Sequence, residues 1–363
     1  TGVRVRYRIS GNLVDREEFL ADNYAAPLVA RIKVLAELDI TERRLPQDGR
    51  ISARIGRREL NLRISTMAVA RGEKAVIRII DPEDVMRPLH QVFLNPQLGK
   101  VVEAVTSEPY GAVVVAGPTG SGKSSTLYSL LNNRLSTRPD NNLVTVEDPV
   151  EYLLPGVTQV SVNPRVGLTF STALFGLMRQ DPDVIMIGEL RDRDTANIMM
   201  EAALTGHMVF TSTHGNDAVA VLQRLRHFID DPVILSQAIS CVIVQRLTGR
   251  LCPHCVEERE VAPALMESLV ARKVLRREGA TKLPTPVGCS QCGRTGYKGR
   301  VAVQEVLRLD DGLRELLARS ESPETLMAEA QKRSLFFSFA QAAAYLITRR
   351  ALAPSDALLI TSG

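Results

Sequence analysis

The sequence predicts an α/β fold: an apolar, parallel-type sheet covered on both faces, with a smaller α+β domain before it and a cysteine-rich segment and short helices after it. Three observations carry that reading. Four short apolar runs, at residues 112–116, 143–146, 184–187 and 208–211, read as buried strands separated by helical patterns. A glycine-rich turn joins the first run to a helix marked by Leu127, Leu130 and Leu131. Two Cys-x-x-Cys pairs then flank a charged stretch between residues 252 and 292.

Taken in order, residues 1–81 mix alternating strands (3–9, 59–64 and 75–80) with a helical pattern at Leu28, Ile32, Leu35 and Leu38, as a small α+β domain does. Residues 82–96 hold Pro82, Pro88 and Pro96 without sustained periodicity and read as a stiffened linker. The α/β core is expected over 97–251 and the four-cysteine module over 252–300. A C-terminal helical region is expected over 301–363, its short helices broken by Pro323 and Pro354. The chain opens on Thr1 and enters a strand pattern at Val3, so it reads as part of a longer polypeptide.

Composition narrows the function classes. The 363 residues, 45% hydrophobic and 24% charged, suffice for two or three packed domains, which excludes disorder. A net charge of +4, from 45 basic and 41 acidic residues, gives no whole-molecule field for nucleic acid. Aromatics make up 4% with no Trp, leaving few platforms on which single-stranded bases stack. No apolar run approaches the ~20 residues that cross a bilayer, so neither a span nor a signal peptide is expected. Five cysteines suit a metal site in a reducing cytoplasm better than a disulfide framework. Cys241, within the apolar stretch 239–244, reads as a small buried hydrophobe.

Gly117-Pro118-Thr119-Gly120-Ser121-Gly122-Lys123-Ser124, continued by Ser125, satisfies G-x-x-x-x-G-K-[ST] between a strand and a helix. Such a loop folds tightly enough to aim successive N–H groups at phosphates, with Lys123 as a mobile cation and Ser124 as a Mg²⁺ ligand. Hydrolysis further needs carboxylates at neighbouring strand ends. Glu189 ends the run 184–187, which Asp183 precedes, and Glu147-Asp148 ends the run 143–146, with Glu151 shortly after. For Asp148 and Glu151 a cap or a solvated loop acid competes with a direct role; Glu147 and Glu189 are the favoured chemical pair. His214 leaves a third strand on the same side, where an N–H could sense the γ-phosphate, whereas His207 reads as a packing and hydrogen-bonding residue.

These stretches resemble a family. Gly117 to Ser124, Val146-Glu-Asp-Pro-Val-Glu-Tyr152, Arg179 to Asp192 and Thr205 to Asp217 are similar to the Walker A, Asp, Walker B and His boxes of secretion ATPases, the hexameric motors of type II secretion and type IV pilus assembly. Residues 46–50, 63–66 and 288–300 extend the likeness over nearly the whole chain. The resemblance implies a RecA-like P-loop core after a small PAS-like domain. It also implies that Lys123 and Ser124 hold ATP and Mg²⁺, that Glu147 polarises water, that Glu189 is the Walker B acid and that His214 contacts the γ-phosphate. Arg63 and Arg78 fall at positions whose arginines reach over the nucleotide, and a guanidinium so delivered is worth ~10³ to 10⁵ in rate. Asn61, Gly215 and Phe175 depart from the family pattern. The implied partners are five further copies in a homo-hexamer and an inner-membrane platform, with peripheral attachment to the membrane and no direct nucleic-acid contact.

Cys252, Cys255, Cys289 and Cys292 form two C-x₂-C knuckles, a thiolate set that selects Zn²⁺ over hard cations. With four protein ligands no position remains for activated water, so the metal is expected to be structural. Disulfide pairing is the competing reading of the same cysteines. Arg4, Arg6 and Arg8 line one strand face and read as a charged edge without chemistry. Two rival functions share the P-loop core: a nucleic-acid motor, which DNA-stimulated turnover would reveal, and a nucleotide-gated scaffold without hydrolysis.

Overall fold

The computed structural model describes residues 3–9, 12–15, 21–56, 58–80, 86–276 and 282–362. The chain divides into two compact units, Thr1–Met86 and Arg87–Gly363. Of the predicted linker, residues 82–85 lie outside the described residues.

In the first unit, β1 (Arg6–Ile9) and β2 (Asn12–Asp15) form a hairpin, and helix α1 (Ala25–Leu35) packs on an antiparallel sheet of β3 (Gln47–Ile55), β4 (Arg58–Val69) and β5 (Gly72–Ile80). The strands expected at 3–9, 59–64 and 75–80 have counterparts here, while β3 was not foreseen. The apolar stripe foreseen for α1 is corrected: Leu28 and Leu35 are exposed, and the helix ends before Leu38. Lys33 is buried instead. Its ammonium donates to the Glu42 carbonyl at 2.7 Å and pairs with Glu73, which satisfies the charge while the aliphatic stem packs. Arg4 pairs with Asp15 at 2.7 Å, so the charged edge carries at least one partner.

The second unit opens with α2 (Leu89–Val92) and α3 (Pro96–Thr106). There follow β6 (Gly111–Ala116), α4 (Lys123–Thr137), β7 (Leu143–Glu147), β8 (Val157–Ser161), α5 (Phe170–Leu177), β9 (Val184–Ile187), α6 (Arg193–Leu204), β10 (Met208–Thr213), α7 (Ala218–Arg226), α8 (Pro232–Ala238) and β11 (Ile239–Leu251). With two later strands, β14 (Tyr297–Arg308) and β15 (Phe336–Phe337), the sheet runs β15-β14-β11-β6-β10-β9-β7-β8, parallel from β11 to β8. Every residue of β6, β7, β9 and β10 is buried, the signature of a sheet covered on both faces.

The cysteine segment contains β12 (Glu257–Glu260), α9 (Pro263–Ala271) and β13 (Lys282–Thr285). Beyond it come β14 (Tyr297–Arg308), α10 (Asp311–Ala318), α11 (Pro323–Ala330), β15 (Phe336–Phe337), α12 (Phe339–Thr348) and α13 (Pro354–Thr361). This redraws the expected boundaries at 251 and 300. β14 pairs antiparallel with β11, and Val301, Val303, Val306 and Leu307 enter the core, so the main sheet continues past the cysteines into the region expected to be helical. Cys241 is fully buried, and burial pushes its thiol up to about 12, consistent with a packing role.

Candidate active site

The loop between β6 and α4 is shaped by glycines. Gly117 has φ +147°, and a Cβ there would lie 2.3 Å from the Gln245 carbonyl oxygen; Gly122, with φ +89°, caps α4 in a conformation that L side chains rarely adopt. Pro118, Thr119 and Gly120 are exposed at the tip, Ser121 is buried, and Ser124 and Ser125 are exposed on the first turn of α4. Lys123 folds back over the loop and donates to the carbonyls of Gly117 at 2.9 Å and Pro118 at 3.3 Å. Burial lowers its pKa, and the nearby Glu189 charge opposes that shift. The Ser121 hydroxyl is buried without a hydrogen-bond partner. A concave loop of backbone donors, a helix start, a lysine and an unsatisfied hydroxyl fit a polyphosphate.

The other expected residues of this unit lie at the ends of neighbouring parallel strands. Glu189 follows β9 and accepts from two sides: His214 Nε2, just beyond β10, lies 2.9 Å from Oε1, and Arg191 lies 2.7 Å from Oε2. Arg191 also reaches Asp148 at 2.9 Å, so one guanidinium bridges the ends of β7 and β9. The end of β9 is tied to β10 as well: the Ser212 hydroxyl donates to the Gly188 carbonyl at 2.6 Å and Leu190 N–H to the Ser212 carbonyl at 2.8 Å. Asp183 sits at the opposite edge and accepts from Asn142 N–H at 2.7 Å, a structural link between strand starts. His207 Nδ1 lies 3.0 Å from the Ala202 carbonyl, the hydrogen-bonding role foreseen for it.

Glu147 is placed differently from expectation. Its side chain is buried, and its carboxylate accepts from Thr145 at 2.7 Å, from Gln159 at 2.9 Å and from the Tyr128 hydroxyl. Burial, together with the Glu147 charge, holds the Tyr128 phenol far above its usual range. A carboxylate engaged by three inward donors anchors β7, β8 and α4, an orientation other than the one expected of a residue that polarises water. Tyr128, Thr145 and Gln159 were not singled out from sequence, because none belongs to a phosphate motif; Arg191 lies in the stretch similar to a Walker B box but was given no role there.

Behind His214, the N-terminus of α7 is built from two carboxylates. Asp217 accepts from Ala220 N–H at 2.8 Å, and Glu305, from β14, accepts from Ala218 N–H at 2.8 Å. Burial pushes Glu305 up to about 7, against the pull of the Ala218 N–H and with a push from Asp217. Of the departures from the family pattern, Gly215 faces Val221, whose Cγ2 lies 2.3 Å from where a Cβ would stand. Phe175 is exposed beneath the Arg179 guanidinium, 4.5 Å from its ring centroid, and Asn61 accepts from Ser52 at 3.2 Å.

In the first unit, Arg63 lies directly opposite Arg78 on β5 and Arg50 on β3, a row of three guanidiniums across the sheet. The four cysteines of the knuckles converge in the second unit, their Sγ atoms all within 4.8 Å of one another. Separations of 4.0 Å (Cys252–Cys289), 3.8 Å (Cys255–Cys292) and 3.8 Å (Cys289–Cys292) are too long for disulfides. They match the ~3.8 Å edge of a tetrahedron with Zn–S bonds of about 2.3 Å. N–H groups of Cys289 and Gly296 point at the Cys292 sulfur at 3.2 and 3.3 Å and pull its thiol down to about 6, whereas burial pushes the Cys255 thiol up to about 12 against the Gly288 N–H at 3.3 Å.

The sequence model of the family described as "Type II/IV secretion system protein" matches residues 1–350. The chain is 42% identical over 329 residues to the type II secretion system protein E of Klebsiella pneumoniae, covering 90% of this chain and 64% of that protein. It is 40% identical over 333 residues to the type IV pilus assembly ATPase PilB of Thermus thermophilus, covering 92% and 37%. The chain thus spans less than two thirds of the length of such relatives. Among solved structures, it resembles the Legionella pneumophila ATPase DotB with a TM-score of 0.72 at 19% identity, covering 100% of this chain and 90% of that one. It also resembles the pilus retraction motor PilT in its ADP complex, with a TM-score of 0.69 at 22% identity, covering 100% and 91%. These likenesses show the fold, a RecA-like P-loop core with added helices.

Proposed function

The chain belongs to the type II/IV secretion system protein family, and on that premise we propose that it hydrolyses Mg-ATP as the motor portion of a cytoplasmic, membrane-peripheral homo-hexamer that drives pseudopilus or pilus assembly. One observation carries the reading: the phosphate loop, Glu189 and His214 occupy one edge of a parallel sheet, and the charges of Lys123 and Glu189 sense each other. Ligands of open α/β sheets sit at that edge.

In this mechanism the loop N–H groups and Lys123 hold the β and γ phosphates, and Ser124 and Glu189 hold Mg²⁺. Magnesium, when bound, neutralises charge developing on the transferred phosphoryl group. His214 keeps Glu189 oriented through its 2.9 Å contact and presents its ring beside the γ-phosphate. With Glu147 turned inward, water activation passes to acids nearer solvent, Glu189 and the half-buried Glu151. The role of Arg63 and Arg78 rests on the family resemblance and is supported by their sharing one register across the sheet with Arg50. Zinc in the cysteine cluster is structural in this reading, with all four ligands supplied by protein.

Steady-state phosphate release measured against protein concentration, with mass determined on the same samples, tests the proposal. Turnover that appears as hexamers form supports it. Failure to bind or consume ATP with magnesium present refutes it, and stimulation by DNA would turn the reading towards a nucleic-acid motor.

A further inference from the structure

We propose that Gln245 is a positioning residue for the phosphate loop, its amide tethering both the loop and the first turn of α4; this rests on the reading that the loop binds a nucleotide. On β11 an apolar run, residues 239–244, ends in Gln245, which is 1% exposed. A buried primary amide needs partners, and both of those it has here lie in the phosphate-loop motif or on the helix that follows it. Nε2 donates to the Ser121 carbonyl at 2.7 Å, and Oε1 accepts from the Thr126 hydroxyl at 2.8 Å. The orientation is dictated by chemistry, because a carbonyl can only accept and so requires the NH₂ side.

Two of the motif's three positive-φ glycines lie against this same residue. A Cβ on Gly117 would meet the Gln245 carbonyl oxygen at 2.3 Å, and one on Gly122 would meet Nε2 at 3.2 Å. Gln245 therefore holds the loop from behind, on the side away from β10, and fixes the distance between Ser121 and the start of α4. Neither hydrogen bond of its amide involves Glu189, His214 or Arg191, so its effect on the reaction runs through loop geometry.

The experiment titrates the chain with a fluorescent ATP analogue and Mg²⁺ and records thermal melting in parallel, for the unsubstituted chain, Gln245→Leu, Thr126→Val, their double variant, Thr126→Ser and Gln245→Glu. Loss of the tether is expected to weaken binding by about tenfold to a hundredfold in each of Gln245→Leu and Thr126→Val. The double variant should be no weaker than the weaker single, since the two groups act as one unit. Gln245→Glu should weaken binding further, by setting an acceptor against the Ser121 carbonyl and an anion beside the loop. Thr126→Ser, which keeps the hydroxyl, should restore binding. A purely structural role predicts lower melting temperatures with unchanged affinity. Affinity within about twofold of the unsubstituted chain in Gln245→Leu overturns the proposal; if that variant does not fold, the same result in Thr126→Val and Gln245→Glu does so. Absence of binding by the unsubstituted chain overturns the nucleotide reading and this inference together, whereas normal binding with unaffected variants overturns this inference alone.

Discussion

Replacing Glu305 with Gln isolates the free energy of a buried charge. Glu305 is 5% exposed on β14, accepts the Ala218 N–H at 2.8 Å, and is pushed from its ordinary 4.5 to about 7, chiefly by burial. Because the folded chain disfavours the ionised form, the stability this group contributes is complete below about pH 4.5 and is lost as pH rises through about 7. At about 1.4 kcal/mol per pH unit, the loss amounts to about 3 kcal/mol. Gln keeps an oxygen for Ala218 and has no proton to lose. The stability difference between Glu305→Gln and the unsubstituted chain, read from urea denaturation at a series of pH values, should be near zero at pH 4.5. It should favour the variant by up to about 3 kcal/mol at pH 8. Titrations elsewhere cancel in that difference. A difference independent of pH, or one favouring Glu at high pH, refutes the argument that burial dominates at this site.

Three further expectations concern the site and the metal. Glu189→Gln should bind ATP but lose at least about a hundredfold in turnover, while Glu147→Gln, which can still receive the Thr145 and Gln159 bonds, should stay within about tenfold; single-turnover phosphate release decides, and equal losses would restore Glu147 to the chemistry. Arg63→Ala should lower turnover by about a thousandfold while leaving nucleotide affinity largely intact, by analogy with other guanidinium triggers; unchanged turnover would remove Arg63 from the mechanism. Metal analysis of protein purified without chelator should find one zinc per chain, and Cys289→Ser should abolish it and lower the melting temperature. Less than one zinc in the unsubstituted chain would count against the site.

The parts legible in the sequence are those whose surroundings are uniform. β6, β7, β9 and β10 are apolar throughout because both faces are covered, and the phosphate loop carries its own glycine spacing. The edges were harder to read. β8, Val157–Ser161, is half exposed and polar, and the first turn-like residues of β14, Lys298, Gly299 and Arg300 after Tyr297, resemble a loop until the pairing of this strand with β11 is seen. Lys33 and Gln245 escaped notice because a buried polar residue is explained by partners distant in the chain, Glu73 and Ser121 respectively. The orientation of Glu147 was not legible for a related reason. A strand-end position says that an acid lies at the sheet edge but not which way its side chain turns, and only Tyr128, Thr145 and Gln159 reveal that it turns inward.

The pairing of Leu251 with Tyr297 has a consequence for how such a chain can change over time. The cysteine-bearing excursion leaves the sheet at one rung of an antiparallel ladder and returns at the same rung, as a graft on a hairpin tip would. A short turn joining those two residues would leave the ladder beneath it in register, since surface insertions cost little in closure entropy and disturb few backbone bonds. The cysteine-bearing excursion is thus separable from the ladder in register but not in packing: Leu269, Val274 and Leu283 carry the main core into it, so trimming it would require those contacts to be refilled.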